Sequence, residues 1–123
     1  MDKPLEITFR NLDRSDGVAA AIRERYADLE RFYHHIIGMN VTVEMPHKHH
    51  RHGNHYQITV EVIVPGQRLV ASHSSDRRAR HETPLPSIND AFKAITRELE
   101  DYARKQRGDT KHHDFPPMGR EAG

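Results

Sequence analysis

Apolar residues recur along this chain with two different periods, and the switches between them predict six elements. Leu5, Ile7 and Phe9 alternate with Glu6, Thr8 and Arg10, the period-two signature of a strand with one buried face. Asp13 and Ser15 carry side-chain oxygens suited to capping a helix. Val18, Ile22, Tyr26, Leu29, Phe32 or Tyr33, and Ile36 follow at spacings of three and four. They form one stripe, which predicts a helix over roughly residues 16–36, with Gly38 as its stop. Val41, Val43 and Met45 alternate again as a second strand, and Pro46 opens a loop marked by Gly53 and Asn54. A third strand runs from Tyr56 to Val64, ends in the turn Pro65, Gly66 and Gln67, and returns as a fourth from Arg68 to His73. After a polar, Pro-containing connection, Ile88, Phe92, Ile95, Leu99 and Tyr102 repeat at helical spacing, so a second helix is expected over roughly 86–106, ended by Gly108.

The resulting order is β-α-β-β-β-α. A helix between the first two strands makes them parallel neighbours, and the later turns make the remaining pairs antiparallel. Each helix has one apolar stripe and the strands mostly alternate, so an α+β fold is expected, a four-stranded mixed sheet with both helices packed on one face. The other face would carry Thr, Gln, Glu and Arg. One domain spans 1–107, and the polar tail 108–123, with its Pro pair and Phe115, is expected to be disordered.

Charge enters as a matter of placement. Lys and Arg number 19 against 18 Asp and Glu, for a net charge of +1. A protein that binds polyanions by being basic throughout is excluded, and any nucleic-acid surface must come from segregation. At 100° per residue, Lys93, Arg97 and Arg104 fall on the side of the second helix opposite its core stripe. On the first helix Arg23, Arg31 and His34 lie opposite the stripe, with Arg25 on its flank and Asp28 and Glu30 diluting the row. Two loops add Lys48 and Arg51, then Arg77, Arg78 and Arg80. Solvated faces with i,i+4 ion pairs are the plain alternative. The loop cations tip the reading toward phosphate, because the Arg fork donates two parallel hydrogen bonds and A-form RNA is held by its backbone and shape.

Other chemistry finds less support. Without Cys, disulfides, thiol nucleophiles and thiolate zinc sites are absent. His47, His49, His50, His52 and His55 crowd into nine residues, which makes metal binding a weaker alternative, since the loop offers neither an acidic ligand nor a rigid frame. The same imidazoles would serve RNA as donors and stacking planes. Ser72, Ser74 and Ser75 beside His73 lack a nucleophile elbow, and Glu44 and Glu61, possible partners across the second and third strands, read as solubilising groups. No enzyme, cofactor or small-molecule substrate is expected. No apolar run reaches signal-peptide or membrane-spanning length, so a soluble cytoplasmic protein is expected.

Three segments carry a family resemblance: FRNLDRSDGVAAAIRERYADLERFY, VTVEMPHKHHRHGNHYQITVEVIVPGQRLVAS and LPSINDAFKAITRELEDYARKQRG. Together they resemble the ribosome hibernation promoting factors, also called ribosome-associated inhibitor A or sigma-54 modulation proteins, over residues 5–107. The resemblance implies a fold similar to a double-stranded-RNA-binding domain, lodged on the small ribosomal subunit between head and body. There it would overlap the transfer-RNA and messenger-RNA sites. It also implies that Arg23, Arg25, Arg31, Lys93, Arg97 and Arg104 meet 16S ribosomal RNA, with Lys105 and Arg107 extending the row. The loop carrying Lys48 and Arg51 is longer and richer in His than the family pattern. The linker and second domain of long members are not in this sequence, which resembles the short form. The older family name supplies a second reading, a protein-interaction module modulating an alternative sigma factor.

Overall fold

The structure is a computed structural model that describes residues 4–45, 55–74 and 83–113, with side chains through residue 108. The chain runs β1 (Leu5–Arg10), α1 (Asp16–Phe32), β2 (Gly38–Glu44), β3 (Gln57–Val64), β4 (Gln67–Ser74) and α2 (Leu85–His113). The order is the expected β-α-β-β-β-α. The strands form one sheet in chain order, with β1 and β2 parallel and the other two pairs antiparallel. The crossover through α1 makes the first pair parallel, whereas the hairpins reverse direction.

Register makes the sheet two-faced. Leu5, Met39, Val62 and Leu69 lie in one row and Ile7, Val41, Val60 and Ala71 in the next. Both helices cover this face. Val18, Ala19, Ile22, Tyr26 and Leu29 come from α1, and Ile88, Ala91, Phe92, Ile95, Leu99 and Tyr102 from α2. Each large side chain buried this way stabilises the fold by about 1.5–3 kcal/mol, so the stripe positions outweigh the local preferences around them. The opposite face carries Thr8, Thr42, Thr59 and Ser72 in a row across all four strands. Next to it Glu61 accepts from Asn40 at 2.9 Å and pairs with Arg68 at 3.1 Å.

Local chemistry sets the boundaries. The Ser15 hydroxyl accepts from Val18 N at 3.2 Å and caps α1. The Thr83 hydroxyl accepts from Leu85 N at 3.2 Å where α2 begins. In the β3–β4 turn Pro65 precedes Gly66, whose φ is +84°, the pairing of proline and positive φ that a type II turn requires.

Three expectations need correction. First, α1 ends at Phe32, not near 36, and Gly38 opens β2 instead of stopping the helix. Backbone pairing takes precedence over helical spacing here: Ile37 N donates to Ile63 O at 2.7 Å and Met39 N to Pro4 O at 2.6 Å. A Cβ on Gly38 would lie 3.2 Å from Pro4 O, so the close approach of the chain favours glycine. Second, α2 continues through Gly108 to His113. Glycine costs a helix about 1 kcal/mol relative to alanine without forbidding it, and no proline follows until Pro116. Residues 114–123 of the expected tail lie outside the described residues. Third, Glu44 pairs with Gln57 and Glu61 with Asn40, so the two carboxylates stand four positions apart along the sheet and do not face each other.

Candidate nucleic-acid interface

The two helices lie side by side on the sheet, and a groove of about 390 Å³ runs between them. Its apolar floor holds Leu29 of α1 and Phe92 of α2, both core residues. Its rim carries Arg25 on one side and Lys93 and Arg97 on the other, with Asp28 and Glu100 as the opposing carboxylates. The geometry follows from spacing. Lys93 and Arg97 are one helical turn apart, about 6 Å along the axis. Arg25 stands one turn before Leu29, on the flank of the α1 stripe that leans toward α2. The Arg25 guanidinium donates to Asn89 Oδ1 across the groove, which ties the rim of one helix to the other.

All eight helical cations of the expected surface, Arg23, Arg25, Arg31, Lys93, Arg97, Arg104, Lys105 and Arg107, are exposed, but they do not form one patch. Arg25, Lys93 and Arg97 come together in the groove. Arg23 instead lines a second groove of about 520 Å³ on the β1 side of α1, with Arg14, Tyr26, Ile7 and Glu6. Arg104 pairs with Asp101 at 3.1 Å and Arg31 with Asp28 at 3.5 Å, each within one helical turn. Such exposed pairs contribute about 0.3–0.5 kcal/mol, too little to withhold either guanidinium from a phosphate. Arg23, Lys93, Arg97 and Lys105 have no ion pair within 4.0 Å among the described residues. Lys48, Arg51, Arg77, Arg78 and Arg80 lie outside the described residues, as do His47, His49, His50 and His52; His55 is half-buried. Among the described residues no group of three or more His, Cys, Asp or Glu could hold a metal ion.

The remaining polar groups are structural or solvated. His73 turns toward α2 and pairs with Asp90 at 3.3 Å. Ser72 points to the opposite face, where its hydroxyl meets that of Thr59 at 3.2 Å, so the adjacent Ser and His cannot act as a dyad. Burial, and then the hydrogen bond to Glu30, push the Tyr26 hydroxyl up to about 12. Burial, and then the negative charge of Glu100, raise that of Tyr33.

Sequence reasoning missed Asn89 and Thr96, the neutral members of the groove. Asn89 precedes Lys93 by four residues and shares its side of α2, a signal that was available; its approach to Arg25 was not. Of the two alternatives for the end of the α1 stripe, Tyr33 packs against the core and Phe32 is 72% exposed.

A four-stranded mixed sheet with two helices on one face, in the order β-α-β-β-β-α, is the ribosomal hibernation-factor fold. The chain belongs to the Sigma 54 modulation protein / S30EA ribosomal protein family, whose model matches residues 5–107. Among curated proteins no match to the chain is found. Two solved structures share the fold. A ribosomal subunit interface protein from Coxiella burnetii aligns with a TM-score of 0.64 and 11% identity, over 81% of this chain and 97% of that one. The Protein Y N-terminal domain from Thermus thermophilus aligns with a TM-score of 0.61 and 15% identity, over 79% and 94%. Family membership makes this a ribosome-associated factor with a role in hibernation or modulation of translation. No helix among the described residues is long and apolar enough to cross a membrane.

Proposed function

We propose that this protein is a cytoplasmic ribosome hibernation factor that binds 16S ribosomal RNA of the small subunit in the decoding region between head and body. Occupying that site excludes transfer RNA and messenger RNA and inhibits translation during stress or stationary phase. The observation that carries the reading is the convergence of Arg25, Lys93 and Arg97 on the groove between α1 and α2 in a member of this family. Three cations around a groove whose own carboxylates number two leave a local excess of positive charge, matched to a phosphate backbone. Arg104, Lys105 and Arg107 continue along α2, Arg31 extends the footprint over α1, and Arg23 adds a separate contact on the β1 side of that helix. One fold neighbour, a ribosomal subunit interface protein, points the same way.

The mechanism is steric and electrostatic, and it uses no cofactor, small-molecule substrate or catalytic step. Affinity comes from displacing counterions from phosphates, so it falls with added salt. Specificity comes from the spacing of two helices held by one sheet, a rigid mould that reads the shape of folded RNA. The experiment is a sucrose-gradient profile of stationary-phase cells, in which the protein is expected in the 30S or 70S fractions. Its confinement to the top of the gradient would refute ribosome binding and favour a free protein-interaction module acting on a sigma factor.

A further inference from the structure

Phe32 is the last residue of α1 and the most exposed large apolar side chain among the described residues, at 72%. It follows Arg25 by seven residues, so it lies two helical turns farther along nearly the same side of α1, about 10 Å down the axis. The line from Arg25 through Leu29 to Phe32 is therefore the α1 wall of the inter-helix groove extended past its end. Over one face of the ring stands a cation: the Arg31 guanidinium carbon lies 5.8 Å from the centroid of Phe32. The contact that holds Arg31 elsewhere is its 3.5 Å pair with Asp28, with both side chains more than half exposed.

The ring's other face, in a side chain this exposed, and a lightly held guanidinium match the two halves of one nucleotide. The heterocycle stacks on the ring, and its phosphate takes the guanidinium in place of Asp28. We propose that Phe32 and Arg31 form a stacking site for one unpaired nucleotide of the bound RNA, at the end of the phosphate-binding groove. The inference rests on the ribosomal RNA reading and adds a contact to a single unstacked base. A flat π-face accepts any base, so the site requires an unpaired nucleotide and is indifferent to which one. A protein partner would use Phe32 differently, as apolar area that any aliphatic side chain could replace.

The test compares binding of the full chain to purified small ribosomal subunits for the wild type, Phe32→Ala, Phe32→Leu and Phe32→Trp. The sequence contains no Trp, so Phe32→Trp introduces one fluorophore, read against a parallel titration of the wild-type chain. Phe32→Trp is expected to bind at least as tightly as the wild type and to lose emission on binding. Phe32→Ala and Phe32→Leu are both expected to weaken binding by roughly 5- to 150-fold, with melting temperatures unchanged because the ring is solvent-exposed. Wild-type affinity in Phe32→Ala overturns the stacking site. Affinity kept by Phe32→Leu and lost by Phe32→Ala, with Trp emission blue-shifted and unquenched, overturns it in favour of an apolar contact with a ribosomal protein. A wild-type chain that does not bind small subunits overturns the ribosomal reading itself and this inference with it, an outcome distinct from the other two.

Discussion

Reversing the charge of the groove rim tests the interface most directly. Arg25, Lys93 and Arg97 are exposed, and none forms an ion pair among the described residues. Among the described residues, their replacement by Glu breaks only the exposed Arg25 to Asn89 hydrogen bond. The fold should lose no more than about 0.5 kcal/mol per site, the usual limit for surface substitutions. The effect on RNA binding is far larger. Each phosphate neutralised contributes about 0.9 to the slope of log K against log salt. Three lost contacts therefore flatten that slope by about 2.7, and extrapolation from 1 M to 0.1 M salt makes this a loss of about 500-fold in affinity before any repulsion from the new carboxylates is added. The assay is co-sedimentation of the triple variant with small ribosomal subunits across a salt series, alongside thermal melting to verify the fold. A variant that still co-sediments at ordinary salt with an unchanged slope would show that the groove does not face RNA.

Three further predictions concern the scaffold. The Ser87 side chain is buried and its hydroxyl has no hydrogen-bond partner among the described residues. Ser87→Ala should thus leave stability unchanged or raise it, because an unpaired buried hydroxyl costs about 1–3 kcal/mol; a fall in the urea midpoint would reveal a bond to that oxygen. Gly66 holds φ at +84° in the β3–β4 turn, and Gly66→Ala should cost about 1–2 kcal/mol in chemical denaturation, the penalty of left-handed backbone for an L residue. The Tyr26 hydroxyl, raised by burial and the Glu30 hydrogen bond from 10.0 to about 12, links stability to alkaline pH. Above pH 10 the unfolded chain releases this proton while the folded chain keeps it, so the contribution present below 10 is lost as pH rises toward 12. Denaturation midpoints should fall across that window, and less steeply in Tyr26→Phe; parallel curves would show that Tyr26 is not the linked group.

All six elements were legible in the pattern of apolar residues, because burying one face of a sheet and one stripe of each helix dominates the energetics. Leu5, Ile7 and Phe9 announce β1 as plainly as Ile88, Phe92, Ile95 and Leu99 announce α2. The ends of the helices were less legible, for reasons that lie outside the helices themselves. Ile36 keeps helical spacing, yet Ile37 N donates to Ile63 O in the neighbouring strand, a partner no local pattern reveals. Gly108 looks like a stop, but a helix passes a glycine when nothing downstream terminates it. The cationic rows were readable by angle around each helix, including the flank position of Arg25. That Arg25 faces α2 while Arg23 faces β1 depends on how α1 settles against its neighbours, and this is tertiary information.

The pairing of Glu44 with Gln57 has a consequence for how this protein can diversify. The twelve residues from Met45 to His55 and Tyr56 bridge two strand ends that the sheet already holds side by side. Doubling the length of a connection between such strand ends adds only about 0.6 kcal/mol of closure entropy. Met45 and Tyr56 belong to the core, but changes of length between them are therefore nearly neutral to the scaffold. The histidine-crowded stretch is a place where selection can try new chemistry without risking the sheet.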